Sequence, residues 1–233
     1  REFDIKAKIL CFKTWTVALI ILTVVVPTYA YAYESEQSSI QAQQVQQIEQ
    51  ALNLLKGMDI GSEICLDESG SGKSVETYIL SENVKLQVVL TDVSETNRES
   101  QAVNSIQRAS NGETLWKEYG NRYFTAKAML TISGRTAATF YLENHYKVSA
   151  QGLDENYGKA EMSGEKCTGE AFGPYVTTES ARKAGNSEIG MYARYGVKLS
   201  SGTEYYTLST SVGYVEKDSA NSKIKVKHSW NLK

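Results

Sequence analysis

Residues 122–149 alternate in polarity with a period of two, and this pattern constrains the fold more than any other property of the chain. In RYFTAKAMLTIS the even positions Phe124, Ala126, Ala128, Leu130 and Ile132 are apolar, whereas Thr125, Lys127, Thr131 and Ser133 are polar. After the link SGRT the alternation resumes, with Ala138, Phe140, Leu142, Tyr146 and Val148 on one side and Thr139, Glu143, His145, Lys147 and Ser149 on the other. Successive side chains of an extended chain point to opposite faces, so each run has one face to bury and one to leave in water. Two such runs across a short glycine-containing link predict a β-hairpin.

The C-terminal third repeats the pattern. Ile189, Met191, Ala193, Tyr195, Val197 and Leu199 alternate with Glu188, Gly190, Arg194 and Lys198. SSGT and DSANS mark two turns, and between them Tyr206, Leu208, Val212 and Tyr214 share a side. The last run sets Ile224, Val226, Trp230 and Leu232 against Lys223, Lys225, Lys227 and Lys233. VETYILS and VKLQVVLTDV are weaker strand candidates joined through Glu82-Asn83. Together these runs predict a mainly β chain, with an antiparallel β-sandwich of immunoglobulin-like or jelly-roll-like type over residues 63–233. Residues 94–110 and 159–185 lack strict alternation; the first is expected to be a loop or short helix and the second a loop, and such excursions are frequent carriers of function.

Upstream the period changes. In the Gln-rich segment 33–62, Val45, Ile48, Leu52 and Leu55 recur at steps of three and four, which places them on one face of a helix. Ser38 with Gln41 fits a capping box, and Gly57 is a natural stop. A stripe this narrow suits either a helix packed on the β domain or a polar spacer.

Residues 1–32 read as a signal peptide. Arg1, Lys6, Lys8 and Lys13 precede the apolar run TWTVALIILTVVV, and Ala30-Tyr31-Ala32 supplies small residues for cleavage after Ala32. The run is shorter than the roughly 20 residues of a membrane span, and an uncleaved anchor is the alternative. Export makes Cys65 and Cys167 candidates for a disulfide, with two buried thiols as the other option.

Charge and composition narrow the function. Without residues 1–32, the 25 Lys+Arg lose four and the 27 Asp+Glu lose Glu2 and Asp4, leaving 21 against 25. A balance of −4 argues against nucleic acid as a partner. DESGSGKSVE (67–76) ends like a phosphate loop, but Asp67 stands where such a loop needs glycine, and a β-rich run follows where it needs a helix. That stretch is expected to be a turn. Of the two histidines, His145 falls on a polar face, and His228 falls between Val226 and Trp230 at the edge of the core. Neither G-x-S-x-G nor H-E-x-x-H occurs, and DENYGKAE (154–161) lacks the ligand rhythm of a calcium loop. No catalytic, cofactor-binding or metal-ligating residue is expected. Tyrosines are the better material: Tyr192, Tyr205 and Tyr206 form the candidate binding surface, since exposed rings on a sheet stack on sugars or meet a protein partner. The lysine row of the last strand fits edge protection.

Signal, short variable segment and a Lys- and Tyr-rich β domain give a layout similar to that of small secreted proteins of Gram-positive bacteria, a resemblance of layout that no motif carries. The expectation is a secreted, non-enzymatic protein that binds a protein, a glycan or a cell-envelope component at the bacterial surface or in the medium. A membrane-active, bacteriocin-like toxin is the second expectation, because barrel-forming hairpins alternate in the same way. An extracellular hydrolase using segment 159–185 is the third.

Overall fold

In the computed structural model the described residues are 40–64, 66, 72–95, 115–164, 167–177 and 188–233. The signal expected at 1–32, including Ala30 and Ala32, lies outside them, as do Cys65 and residues 67–71 of the phosphate-loop-like stretch. Among the described residues no helix is long and apolar enough to cross a membrane. The chain divides into two compact units, Arg1–Gln46 and Gln47–Lys233. Of the first only 40–46 are described, and they are helical.

Gln47–Lys233 is a sandwich-like body of two antiparallel sheets. Eleven strands follow in order: β1 (Ile60–Ile64), β2 (Lys73–Ser81), β3 (Val84–Ser94), β4 (Leu115–Glu118), β5 (Gly120–Ile132), β6 (Arg135–Ser149), β7 (Gly152–Ser163), β8 (Thr168–Val176), β9 (Glu188–Leu199), β10 (Gly202–Asp218) and β11 (Lys223–Leu232). One sheet has the order β2-β3-β5-β6-β7, and the other β1-β11-β10-β9-β8 with β4 also on β11. Within each sheet, neighbours from β5 onward are joined by hairpins. At the β5–β6 turn Ser133 and Gly134 both have positive φ, 49° and 81°, the backbone twist that suits a tight hairpin.

The alternation set out above is the burial pattern. Leu86, Val88 and Leu90 of β3, Phe124, Ala126, Ala128 and Leu130 of β5, and Phe140 and Leu142 of β6 line the interior of one sheet. Ile189, Ala193, Tyr195, Val197, Leu208, Ile224, Val226 and Trp230 line the other. Phe140 joins the two layers, with its ring 5.1 Å from that of Tyr195 and 5.5 Å from that of Tyr206. Each such side chain contributes about 1.5–3 kcal/mol through burial.

The helix, α1, spans residues 40–55. Ile48, Ala51, Leu52 and Leu55 are buried, whereas Val45 is exposed. The part in the larger unit packs on one end of the β body. Tyr206 Oη donates to the Leu52 carbonyl at 2.9 Å, Glu49 accepts from the Ser200 amide at 2.6 Å, and Lys56 pairs with Glu204 at 2.8 Å. Of the two uses left open for this helix, packing holds.

One expectation is corrected. Segment 159–185 is not one long loop: it contains the end of β7 and the whole of β8. Its alternation is interrupted where the register shifts between Phe172 and Tyr175, across the cis bond Gly173–Pro174. An edge strand tolerates such a proline because its outer N–H groups are not needed by a neighbour. Cys167 is a buried free thiol donating to the Ala137 carbonyl at 3.0 Å, and Cys65, its expected partner, lies outside the described residues.

Gly72 is the one described glycine of the Gly-Lys-Ser stretch. Its φ is +57°, and a Cβ there would lie 2.7 Å from the Asp92 carbonyl. Strand β2 begins at Lys73, so no helix presents its amides to a phosphate.

Candidate functional site

Two places concentrate chemistry, and they differ in access. The first lies inside, at the end of the body opposite α1. Asp92 near the end of β3, Arg122 near the start of β5, and Tyr146 late in β6 have inward parity, as does His228 of β11; Lys117 comes from β4. Arg122 Nε lies 3.2 Å from Asp92 Oδ1 and 3.4 Å from Oδ2. Lys117 Nζ is 3.3 Å from Asp92 Oδ2 and donates to the Leu66 carbonyl at 2.7 Å. Tyr146 Oη donates to Oδ2 at 3.0 Å, and His228 Nε2 lies 2.9 Å from the same oxygen. All five residues are at most 2% exposed.

Burial by itself pushes the Asp92 carboxyl upward, but the adjacent Arg122 and Lys117 charges outweigh it and hold the group well below the usual range. For His228, burial lowers the pKa and the attraction of Asp92 does not offset it. The imidazole is therefore neutral, with its Nε2–H donated to the carboxylate. Burial, then the Asp92 charge, raises Tyr146 well above an ordinary phenol, so its hydroxyl remains a donor. The network is a carboxylate held by four side chains, and no substrate reaches it without opening the body. Its arrangement suits registering strands rather than proton transfer to a ligand. Among the described residues no group of three or more His, Cys, Asp and Glu could hold a metal ion.

His145 has a different setting from the one its parity implied. It is outward on β6 yet buried, stacked on Tyr123 at 4.3 Å and met edge-on by Tyr157 at 4.0 Å. Farther along that sheet, a cleft of about 660 Å³ is lined by Lys127, Thr139, Tyr141, Glu161 and Met162 among others.

The second place is the outer face of β8, β9 and β10. Phe172 and Tyr175 of β8, Tyr192 and Arg194 of β9, and Tyr205 of β10 share the outward side. Register sets Phe172 beside Arg194, Tyr175 beside Tyr192, and Tyr205 beside Gly196. The four rings are between 37% and 48% exposed, enough to leave surface for a partner. They form two pairs, Tyr175–Tyr192 at 5.4 Å and Phe172–Tyr205 at 6.4 Å. Gly196 is the floor of the second pair: a Cβ there would lie 3.0 Å from the Tyr205 ring and 3.2 Å from that of Phe172. Arg194 lies over Tyr205, 3.8 Å from the ring centroid. Around the rings the outward positions carry hydroxyls, including Thr203, Thr207 and Ser209.

Tyr192 and Tyr205 thus share one exposed face. Tyr206 does not: it is 2% exposed and bonded to α1. Its parity with Leu208 already pointed inward, and adjacency to Tyr205 misled. Phe172 and Tyr175 were missed because β8 was read as loop. Asp92 and Arg122 were missed although both stand on the apolar parity of their strands, which is the signal that marks a buried charge.

No family model, curated protein or solved structure matches the chain.

Proposed function

We propose that this protein is an exported, non-enzymatic binding protein that recognises a glycan at the cell surface or in the medium through the outer face of β8–β10. One observation carries the reading: two exposed aromatic pairs lie on one sheet face, with hydroxyl side chains beside them. Ring faces stack on the apolar faces of sugars, while neighbouring hydroxyls exchange hydrogen bonds with sugar hydroxyls. Asp92, Tyr146 and His228, side chains of kinds that serve catalysis, are locked in the buried network, which supports binding over turnover. Export rests on the apolar run and the Ala30-Tyr31-Ala32 pattern. We read the two layers as a β-sandwich of largely meander type, in place of the immunoglobulin-like or jelly-roll-like type, because β5-β6-β7 in one sheet and β8-β9-β10-β11 in the other are neighbours in chain order.

Affinity electrophoresis against a panel of soluble polysaccharides tests this. A retarded wild type is expected, with Tyr192→Ala and Tyr205→Ala each weakening binding at least tenfold and leaving the melting temperature unchanged. Retardation that survives both substitutions would place the site elsewhere. Vesicle leakage, run in parallel, is expected to be nil: apart from Tyr205, Gly213 and Asn231, the outward rows of β10 and β11 over 203–213 and 223–233 are Ser, Thr and Lys, without the apolar belt a bilayer-spanning barrel presents.

A further inference from the structure

The aromatic face has a cation at its centre, and among the described residues that cation has no acid of its own. Arg194 is outward on β9, two residues from Tyr192 and two from Gly196, over which Tyr205 and Phe172 lean. Its contact with Tyr205 is through the ring. A cation–π contact engages the face of a guanidinium and leaves its N–H donors unspent. Among the described residues no carboxylate pairs with Arg194 and no side-chain oxygen accepts from it. Arginine presents its donors as a planar fork that matches a carboxylate in two parallel hydrogen bonds. Stacking on Tyr205 limits the freedom of the side chain, so less order is lost when a ligand arrives.

Geometry sets the kind of acid. From Tyr192 to the level of Gly196 the strand advances about 13 Å, the reach of a short oligosaccharide, with one aromatic pair at each end and the guanidinium between. Of the remaining outward charges on β8 and β9, Lys198 is a second cation, and Glu170, beside Gly196, and Glu188 are acids. Those two carboxylates repel a polymer that is anionic at every unit and tolerate one whose charges are spaced. Resting on the glycan reading above, we propose that the ligand is an acidic glycan bearing widely spaced carboxylates, in which one uronic acid is clamped by Arg194 while flanking sugars stack on the Tyr175–Tyr192 and Phe172–Tyr205 pairs.

The test is calorimetric titration of the purified protein with fragments of hyaluronan and of a glucuronic-acid-bearing xylan, each alongside its carboxyl-reduced counterpart, and with heparin. The acid forms are expected to bind at least tenfold tighter than the reduced forms. Arg194→Gln should remove that difference without abolishing binding of the reduced form, and Arg194→Lys should restore it only in part, because the charge returns without the fork. Heparin is expected to bind more weakly than either acid form. Equal binding of acid and reduced forms overturns the carboxylate assignment and leaves the glycan reading standing. Heparin as the tightest ligand also overturns it, in favour of a general polyanion site. Failure of every sugar to bind, neutral panel included, sinks both.

Discussion

The two ends of the β body are closed by opposite means. At one end Ile48, Ala51, Leu52 and Leu55 of α1 lie against the sheets, with a few peripheral hydrogen bonds. At the other, Asp92 is surrounded by Arg122, Lys117, Tyr146 and His228 in an equally dry setting. The apolar end gains from removing hydrocarbon from water, which depends little on geometry or pH. At the charged end the desolvation of several ionic groups is offset only when every partner is in place. It ties β3, β4, β5, β6 and β11 together through one carboxylate, so it registers strands that are distant in sequence. It is also the end that a single substitution or a change of acidity can undo.

The largest expected effect is at that carboxylate. Asp92→Asn leaves Arg122 and Lys117 buried beside a neutral amide and should destabilise by about 3–5 kcal/mol, read from the chemical denaturation midpoint. A loss below about 1 kcal/mol would show that the network contributes no more than a surface ion pair.

Leu52→Ala probes the other end. A fully buried leucine removed from the interface of α1 with the sheets should cost about 2–5 kcal/mol, depending on how far the helix settles into the space. A near-zero cost would mean that α1 is dispensable to the β body.

Acidity should separate the ends. His228 is neutral in the fold and has its pKa lowered from 6.5, so the unfolded chain takes up a proton that the folded chain refuses. Its share of stability is present above pH 6.5 and lost as pH falls below it. Asp92, also depressed, adds a second loss as pH falls below its ordinary value of 3.8. Leu52→Ala should shift the stability-versus-pH curve down without changing its shape, whereas His228→Gln should flatten it between pH 7 and 5. A wild-type curve already flat across that range would contradict a neutral His228.

The smallest effect concerns the middle of the body. The Thr210 hydroxyl is buried, with no hydrogen-bond partner among the described residues. Thr210→Val keeps the shape and removes an unsatisfied donor, so it should leave stability unchanged or raise it by up to about 1 kcal/mol in thermal melts. A clear loss would reveal a partner for that hydroxyl.

Much of the fold was legible because its signal is local. The apolar rows at 124–148 and 189–199 name the buried faces of β5, β6 and β9, and the glycine-bearing links name their hairpins. Strand β8 was less legible: its alternation breaks at Gly173-Pro174, and its edge position demands few apolar residues. Of the candidate site, Tyr192 and Tyr205 could be read from parity, but Phe172, Tyr175 and Arg194 join them only through the register of β8 on β9 and β9 on β10.

The sequence by itself determined which side of each strand is apolar, where the chain turns and that one helix precedes the sheets, because these follow from side-chain period and turn chemistry within a few residues. Tertiary structure alone decided that Asp92, Lys117, Arg122, Tyr146 and His228 meet and that Tyr206 anchors α1. Parity sets the face a residue occupies; which strand becomes its neighbour, and what covers that face, depends on the simultaneous packing of segments more than a hundred residues apart.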